Sequence, residues 1–216
     1  MFLSHFGVAF AAKKIAPKIS LGTLVLGCQL MDLVWPMLVL LGIEKVSVQP
    51  GATAYNYLNF ESYPYSHSLV GSLLLSALAA IVYFLVNPKK LCAVILGAVV
   101  FSHWILDYIS HRPDLPITDD LSQKVGLGLW NSIPATVFVE LLFFFVGVFI
   151  YLKSYPPKTT ARKIGLAVFA AFLLTIFGFA SFGPPPPSEA TGIMIAAPAL
   201  AMWIFVPWAM WIDRDN

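Results

Sequence analysis

The chain reads as an all-α integral membrane protein, a bundle of about six transmembrane helices with a short half-helix at its N-terminus. Three observations predict this class. Of its 216 residues, 59% are apolar and only 11% charged, against roughly 25% charged in a soluble domain, and the mean hydropathy is +0.81. The apolar stretches are continuous rather than alternating, which selects helices over a barrel. Breakers divide them into runs of about 20 residues, the length that crosses a hydrocarbon core.

The first 12 residues, MFLSHFGVAFAA, form an apolar helix too short to cross. No positive charge precedes this stretch and its lysines follow it, so it reads as a retained helix rather than a signal peptide. Spans are expected at 19–43, 66–87, 90–111, 133–153, 162–183 and 190–212. Between them lie Pro50–Gly51, Pro64, Asn87–Pro88, Pro113, Pro116 and Pro156–Pro157. The tetraproline Pro184 to Pro187 makes a stiff extended connection before the last span. No internal repeat is visible, and one domain, 1–216, is expected. Residues 1–153 carry the candidate site, while 154–216 supply two helices with no assigned role. Cys28 and Cys92 both fall inside apolar runs and read as buried small hydrophobes rather than a disulfide framework.

Basic residues orient the bundle. Lys13, Lys14 and Lys18, then Lys89 and Lys90, then Lys153, Lys158, Arg162 and Lys163 fall in alternate connections. The positive-inside rule therefore puts these connections and both termini in the cytoplasm, with the bacterial inner membrane as the expected location. Trp203, Trp208 and Trp211 suit the cytoplasmic interface, and Tyr55, Tyr57, Tyr63 and Tyr65 the outer one. A net charge of +2 is too small to argue for a nucleic-acid partner.

Against this background the ionisable residues stand out. Asp32, Asp107 and Glu140 lie inside spans, and a charge at the bilayer centre costs about 2.5–3.5 kcal/mol on insertion scales. A rise of about 1.5 Å per residue places Asp32 and His103 roughly 20 Å above the cytoplasmic face, with Asp107 and His111 higher. Glu140, on a descending helix, reaches the same level, and His67 opens a helix from the outer side. His5 reaches only about 12 Å, just below Asp32. His103, Asp107 and His111 recur every four residues and so share one helical stripe. Imidazoles and carboxylates are the ligands of catalytic zinc. A His/Asp/Glu set without thiolate fits zinc, manganese or iron better than copper(I) or a cluster. The expected metal ligands are thus His5, Asp32, His67, His103, Asp107, His111 and Glu140, around one to three divalent ions. Each also has a structural reading, as a hydrogen-bond partner within the bundle or, for His111, as a cation at a helix end.

His5, Asp32, the string Ser66-His67-Ser68 and His103-Trp104-x-x-Asp107 together resemble the LexA-regulated, YdjM-like family of membrane-bound metal-dependent hydrolases. Their order is also similar to that of the zinc-dependent phospholipase C and P1 nuclease group. The resemblance spans residues 1 to about 140 and implies a metal and a hydrolytic reaction. One departure is visible: the soluble enzymes pair their last Glu with a His four residues earlier, and 134–140 contains no histidine.

A hydrolytic site of this kind uses the cation to acidify water and to stabilise developing charge on an ester or phosphoester. A carboxylate that does not ligate, Asp32 or Glu140, would orient or deprotonate the water. The substrate expected at this depth is a membrane lipid or lipid-like ester. Arg112 and Lys124 are candidates to receive a phosphate. The stretch Gly126-Leu127-Gly128-Leu129-Trp130-Asn131 reads either as a lid over the site or as an interfacial linker with a Trp anchor. Two other readings stay open: a cation or proton transporter, and a non-catalytic membrane protein with a structural metal.

Overall fold

The computed structural model describes residues 1–214. It is an all-α bundle with six helices long and apolar enough to cross a membrane. In chain order these are α2 (Leu21–Leu40), α4 (Leu69–Val86), α5 (Lys90–Ser110), α6 (Ile133–Ser154), α7 (Thr160–Phe182) and the compound helix Gly192–Asp213. Preceding them, α1 (Leu3–Ile15) is a half-helix. Side-chain oxygens start most spans: Ser20, Ser68, Ser132 and Thr159 each accept a backbone N–H of the first turn of α2, α4, α6 and α7.

The half-helix α1 is the hub of the core rather than an appendage. Leu3, Phe6, Ala9 and Phe10 are wholly buried, and the helix contacts α2, α5, α6 and α7. Its tightest neighbour is α6, and the reason is two glycines. A Cβ built on Gly7 would stand 2.3 Å from the Phe143 carbonyl oxygen, and one on Gly147 would stand 2.1 Å from the Gly7 carbonyl oxygen. Backbones approach this closely only where both residues lack side chains.

Two of the expected spans are not continuous. The 66–87 run splits into α3 (Pro64–His67) and α4, because Ser68 is extended (φ −68°, ψ 157°) and its hydroxyl caps α4 through Gly71 N–H. The 190–212 run becomes α8 (Gly192–Ala199), a 3-10 turn over Leu200–Ile204 and α9 (Phe205–Asp213). Pro198 and Pro207 each remove a backbone donor from this stretch. The connections also hold two small antiparallel ribbons that the all-helical expectation did not contain. Strands β1 (Lys45–Val48) and β2 (Leu58–Ser62) form one, and β3 (Leu115–Pro116) and β4 (Lys124–Val125) the other.

At the end of the bundle away from the ribbons, Lys13 is buried. Its Nζ donates to Asp213 Oδ2 (2.6 Å) and to the Pro17 and Ile19 carbonyls. Leu21 N–H and Tyr151 OH also donate to Asp213. This clamp ties the end of α1 to the end of α9, on the face where the other lysine-rich connections lie.

Candidate metal centre

Four elements deliver the polar side chains at the other end. Asp32 comes from the middle of α2, whose Pro36 offers no N–H to the Asp32 carbonyl four residues earlier. His67 ends α3, His103 and Asp107 lie one turn apart on α5, and His5 sits in the first turns of α1. The break at Ser68 turns the chain immediately after His67.

These five converge. His103 Nε2 lies 3.1 Å from Asp107 Oδ2 and 3.7 Å from Asp32 Oδ1. His67 Nε2 lies 3.4 Å from Asp32 Oδ1 and 3.8 Å from Asp107 Oδ2. On the far side of Asp107, its Oδ1 is 3.3 Å from His5 Nε2 and accepts a hydrogen bond from the Met1 amino group. The rings of His5 and His103 stack with centroids 3.8 Å apart and planes 1° from parallel. Two ligand-type triads result, His5–His103–Asp107 and Asp32–His67–His103, each with its donor atoms within 4.8 Å of one another. His103 belongs to both. Asp32 is the one partly open member, with 27% of its side chain exposed, while Asp107 retains only 3%.

The outer contacts fix which nitrogen of each ring faces the centre. His103 Nδ1 is 2.7 Å from the Cys28 carbonyl oxygen. A carbonyl can only accept, so Nδ1 carries a proton, and in the neutral ring Nε2 presents its lone pair to the centre. His67 Nδ1 is 2.7 Å from Ser66 Oγ. That hydroxyl spends its own proton on Glu44 Oε2 at 2.7 Å. Ser66 therefore accepts from His67, and His67 Nε2 also keeps its lone pair. Glu44 is anchored in turn, its Oε1 accepting the Tyr65 and Ser66 amides. Such carbonyl and carboxylate partners behind an imidazole are the usual outer contacts of a metal-ligating histidine.

A divalent cation fits this donor set. Ligand atoms about 2.0–2.1 Å from an ion in a tetrahedron stand about 3.3–3.4 Å apart; the imidazole–carboxylate separations of 3.1–3.8 Å bracket that value, and all donor atoms of each triad lie within 4.8 Å. His5 Nδ1 and Nε2 and His103 Nε2 are buried without a hydrogen-bond partner, a condition that costs about 1–3 kcal/mol per group if nothing else satisfies it. Of the two carboxylates, Asp107 has the Met1 ammonium on Oδ1, whereas Asp32 faces the imidazoles of His67 and His103, and a cation there would balance its charge.

The remaining sequence candidates stand around this centre. Glu140 is committed elsewhere: Oε1 accepts Phe2 N–H at 2.7 Å, and Oε2 accepts Ser4 N–H and Ser4 Oγ–H at 2.8 and 2.9 Å. It thereby caps the start of α1, one turn from His5. His111 follows the last turn of α5 and lies outside both triads. Its Nδ1 pairs with Asp114 Oδ1 at 2.9 Å, and its ring packs 4.2 Å from that of Trp130. Asp114 also accepts Tyr63 OH and Arg112 Nε–H. Burial opposes its ionised form, but the bonds from His111, Tyr63 and Arg112 outweigh that, and its carboxyl is held below the usual range. Arg112 is engaged further with Asn59 and the Ala52 carbonyl. Lys124 lies in β4, paired with Pro116, and does not line the cavity at Asp32, His67 and Asp107.

The stretch 126–131 folds back over the end of α5. Leu127 N–H donates to the Tyr108 carbonyl and Gly128 N–H to that of His111. Gly126 (φ +155°) lies so close that a Cβ there would be 2.2 Å from the Arg112 carbonyl oxygen. Trp130 thereby reaches a cavity of about 200 Å³ whose floor includes Asp32, His67 and Asp107, and whose walls include His111 and Trp35. The residues that sequence reasoning missed are Glu44, Ser66 and Asp114, which hold imidazoles from behind. Ser66, adjacent to His67 and already part of the Ser66-His67-Ser68 string, and Asp114, three residues after His111, left a local signal; Glu44 left none.

No family model, curated protein or solved structure matches the chain.

Proposed function

We propose that the protein is a membrane-embedded metal-dependent hydrolase acting on a lipid or another membrane-associated ester or phosphoester. The observation that carries this reading is the pair His67 and His103. Both are held by outer partners so that Nε2 lone pairs aim at Asp32 and Asp107, on the floor of a cavity rather than in a sealed core. A zinc, manganese or iron ion bound there supplies Lewis acidity, polarising a carbonyl or phosphoryl oxygen and acidifying water. His5, His67, His103 and Asp107 are the residues that hold it. Asp107 Oδ2 faces both His67 and His103, while its Oδ1 pairs with the Met1 amino group. Asp32, the member open to the cavity, orients water and accepts its proton. Tryptophans and the ribbon above the cavity thin out bulk water and strengthen these electrostatic effects.

In this reading the chain is a YdjM-like hydrolase in the bacterial inner membrane, with the Lys13–Asp213 end cytoplasmic and the site towards the outer leaflet; Met1, expected on the cytoplasmic side, instead lies in the site with its amino group on Asp107. A transporter needs a polar path to the opposite face. Below the site lie Phe6, Phe10, Leu24, Phe144 and Phe169, all buried, and beneath them the closed Lys13–Asp213 clamp. A purely structural ion needs no cavity at its side.

The test begins with elemental analysis of detergent-purified wild type and His103→Ala. Lipid esters and phosphoesters are then screened with the metal-loaded protein. Stoichiometric metal lost in the variant, with turnover abolished by Asp32→Asn, is the expected result. Metal retained in His103→Ala would sink the reading.

A further inference from the structure

A second cavity of about 540 Å³ adjoins the first and shares with it Met1, Phe2, Asn56, Leu58 and Trp130. From there it runs between the end of α7 and the start of α8. Ile176, Phe179 and Ala180 form one wall and Met194 and Ile195 the other. The tetraproline, a stiff element that cannot collapse into the gap, lies across its end. The groove exists because α7 leans on α9 and α1 rather than on α8, while α8 packs on α2. Phe179 and Met194 are largely exposed, so the groove opens sideways, at the depth where hydrocarbon meets the ends of both helices. Charged and amide groups, those of Met1, Glu140 and Asn56, lie at the end nearest the metal centre; Tyr55 and Tyr57 are the other polar side chains of the lining, and the Tyr55 hydroxyl is taken up by Ser181.

We propose that this groove seats one acyl chain of the substrate, an amphiphile that enters laterally from the bilayer and leads its ester or phosphoester past Trp130 to the metal centre. The proposal rests on the hydrolase reading above. Three features select a chain over other occupants. Its volume is in the range of about 300–1,000 Å³ typical of ligand sites. A helix about 10–12 Å across would fit only about one turn into that space, which excludes a partner segment. The walls on α7 and α8 are formed by Ile176, Phe179, Ala180, Met194 and Ile195, whose side chains offer a soluble polar molecule no partners. Continuity with the site is the deciding feature, because the same Phe2 and Trp130 rings border both cavities.

The test uses the full chain in phosphatidylcholine nanodiscs containing a phosphatidylglycerol with a diazirine in its acyl chain. After irradiation, labelled positions are mapped by mass spectrometry in wild type and in Ala180→Trp, which fills the groove from an exposed wall position. Expected is concentrated labelling of 176–195, competed by unlabelled phosphatidylglycerol. In Ala180→Trp it drops to the level of the lipid-facing surface of α4, while metal content stays unchanged. Labelling spread evenly over all lipid-facing helices, or unaltered by the tryptophan, overturns the proposal. The two readings separate cleanly. A labelled groove in a protein without metal leaves the chain site standing and removes the hydrolase. A metal-loaded protein that cleaves a short soluble ester without groove labelling does the reverse.

Discussion

Ser66→Ala is the most informative single perturbation, because it removes one oxygen and replaces no metal ligand. That oxygen accepts from His67 Nδ1 and donates to Glu44 Oε2. Without it, two buried groups lose a partner, each at about 1–3 kcal/mol, so a loss of at least about 2 kcal/mol in stability is expected. The second consequence is specific. His67 is no longer held in the tautomer that aims Nε2 at Asp32 and Asp107, and the loss of such outer contacts lowers metal affinity by about 10–100-fold, or about 1.4–2.7 kcal/mol. The assay is zinc affinity by competition with a chromophoric chelator in detergent, alongside thermal unfolding. Ser68→Ala is the control. Its hydroxyl caps α4, so it loses about 1 kcal/mol of stability while zinc affinity stays unchanged. If Ser66→Ala is destabilised yet binds zinc as wild type does, the chain from Glu44 to His67 is merely structural and the reasoning fails.

Four further outcomes are expected. Asp107→Ala and His103→Ala each abolish metal binding in elemental analysis, whereas Asp32→Asn leaves metal bound and removes turnover. Gly147→Ala drives a methyl into the Gly7 carbonyl; overpacking of this kind costs about 1–3 kcal/mol, and zinc affinity falls with it because α1 carries His5 away. Lys13→Met leaves Asp213 charged and buried without its ion partner, a loss of about 3–5 kcal/mol in thermal unfolding, with stability recovered in the Lys13→Met, Asp213→Leu double variant. Asp114, outside the spans, has its pKa lowered by folding. Its contribution is therefore fully present above the unfolded value of about 3.9 and fades as pH falls through the lower folded value. The melting difference between wild type and Asp114→Asn should accordingly be largest near neutrality and shrink below about pH 4.

The helices were legible because the bilayer sets their length. Continuous apolar runs and basic punctuation locate all six spans to within a few residues, as 133–153 against Ile133–Ser154 illustrates. What was not legible depended on tertiary partners. The break between His67 and Leu69 comes from an extended Ser68 whose hydroxyl caps the next helix, a choice invisible in an apolar run. The depth of His5 was misjudged for a related reason. Treating α1 as rising from the Lys13–Lys14 corner set its ring below Asp32, yet it stacks directly on His103. Helical spacing put His103, Asp107 and His111 on one stripe, but α5 ends at Ser110, so the last of them turns to Asp114. Glu44 could not be found at all, since nothing near it in sequence points to His67.

The half-helix explains why three intramembrane acids were present for two kinds of work. A helix that starts inside the membrane exposes amide N–H groups with no intrahelical acceptor, in a region where water does not supply one. In α1 those amides belong to the residues just before His5, and Glu140 accepts two of them, at Phe2 and Ser4. A carboxylate is favoured there by the helix dipole. Glu140 thus holds a histidine in place by holding the backbone that carries it, while Asp32 and Asp107 face the imidazoles themselves. The distinction can be measured. Glu140→Gln presents an amide NH₂ group to backbone donors, so it should loosen α1 and lower stability by about 1–3 kcal/mol, with zinc still bound at full stoichiometry but reduced affinity. Complete loss of the metal in a folded Glu140→Gln protein would instead make Glu140 a ligand and show that the hydrogen bonds to Phe2 and Ser4 give way when the ion binds.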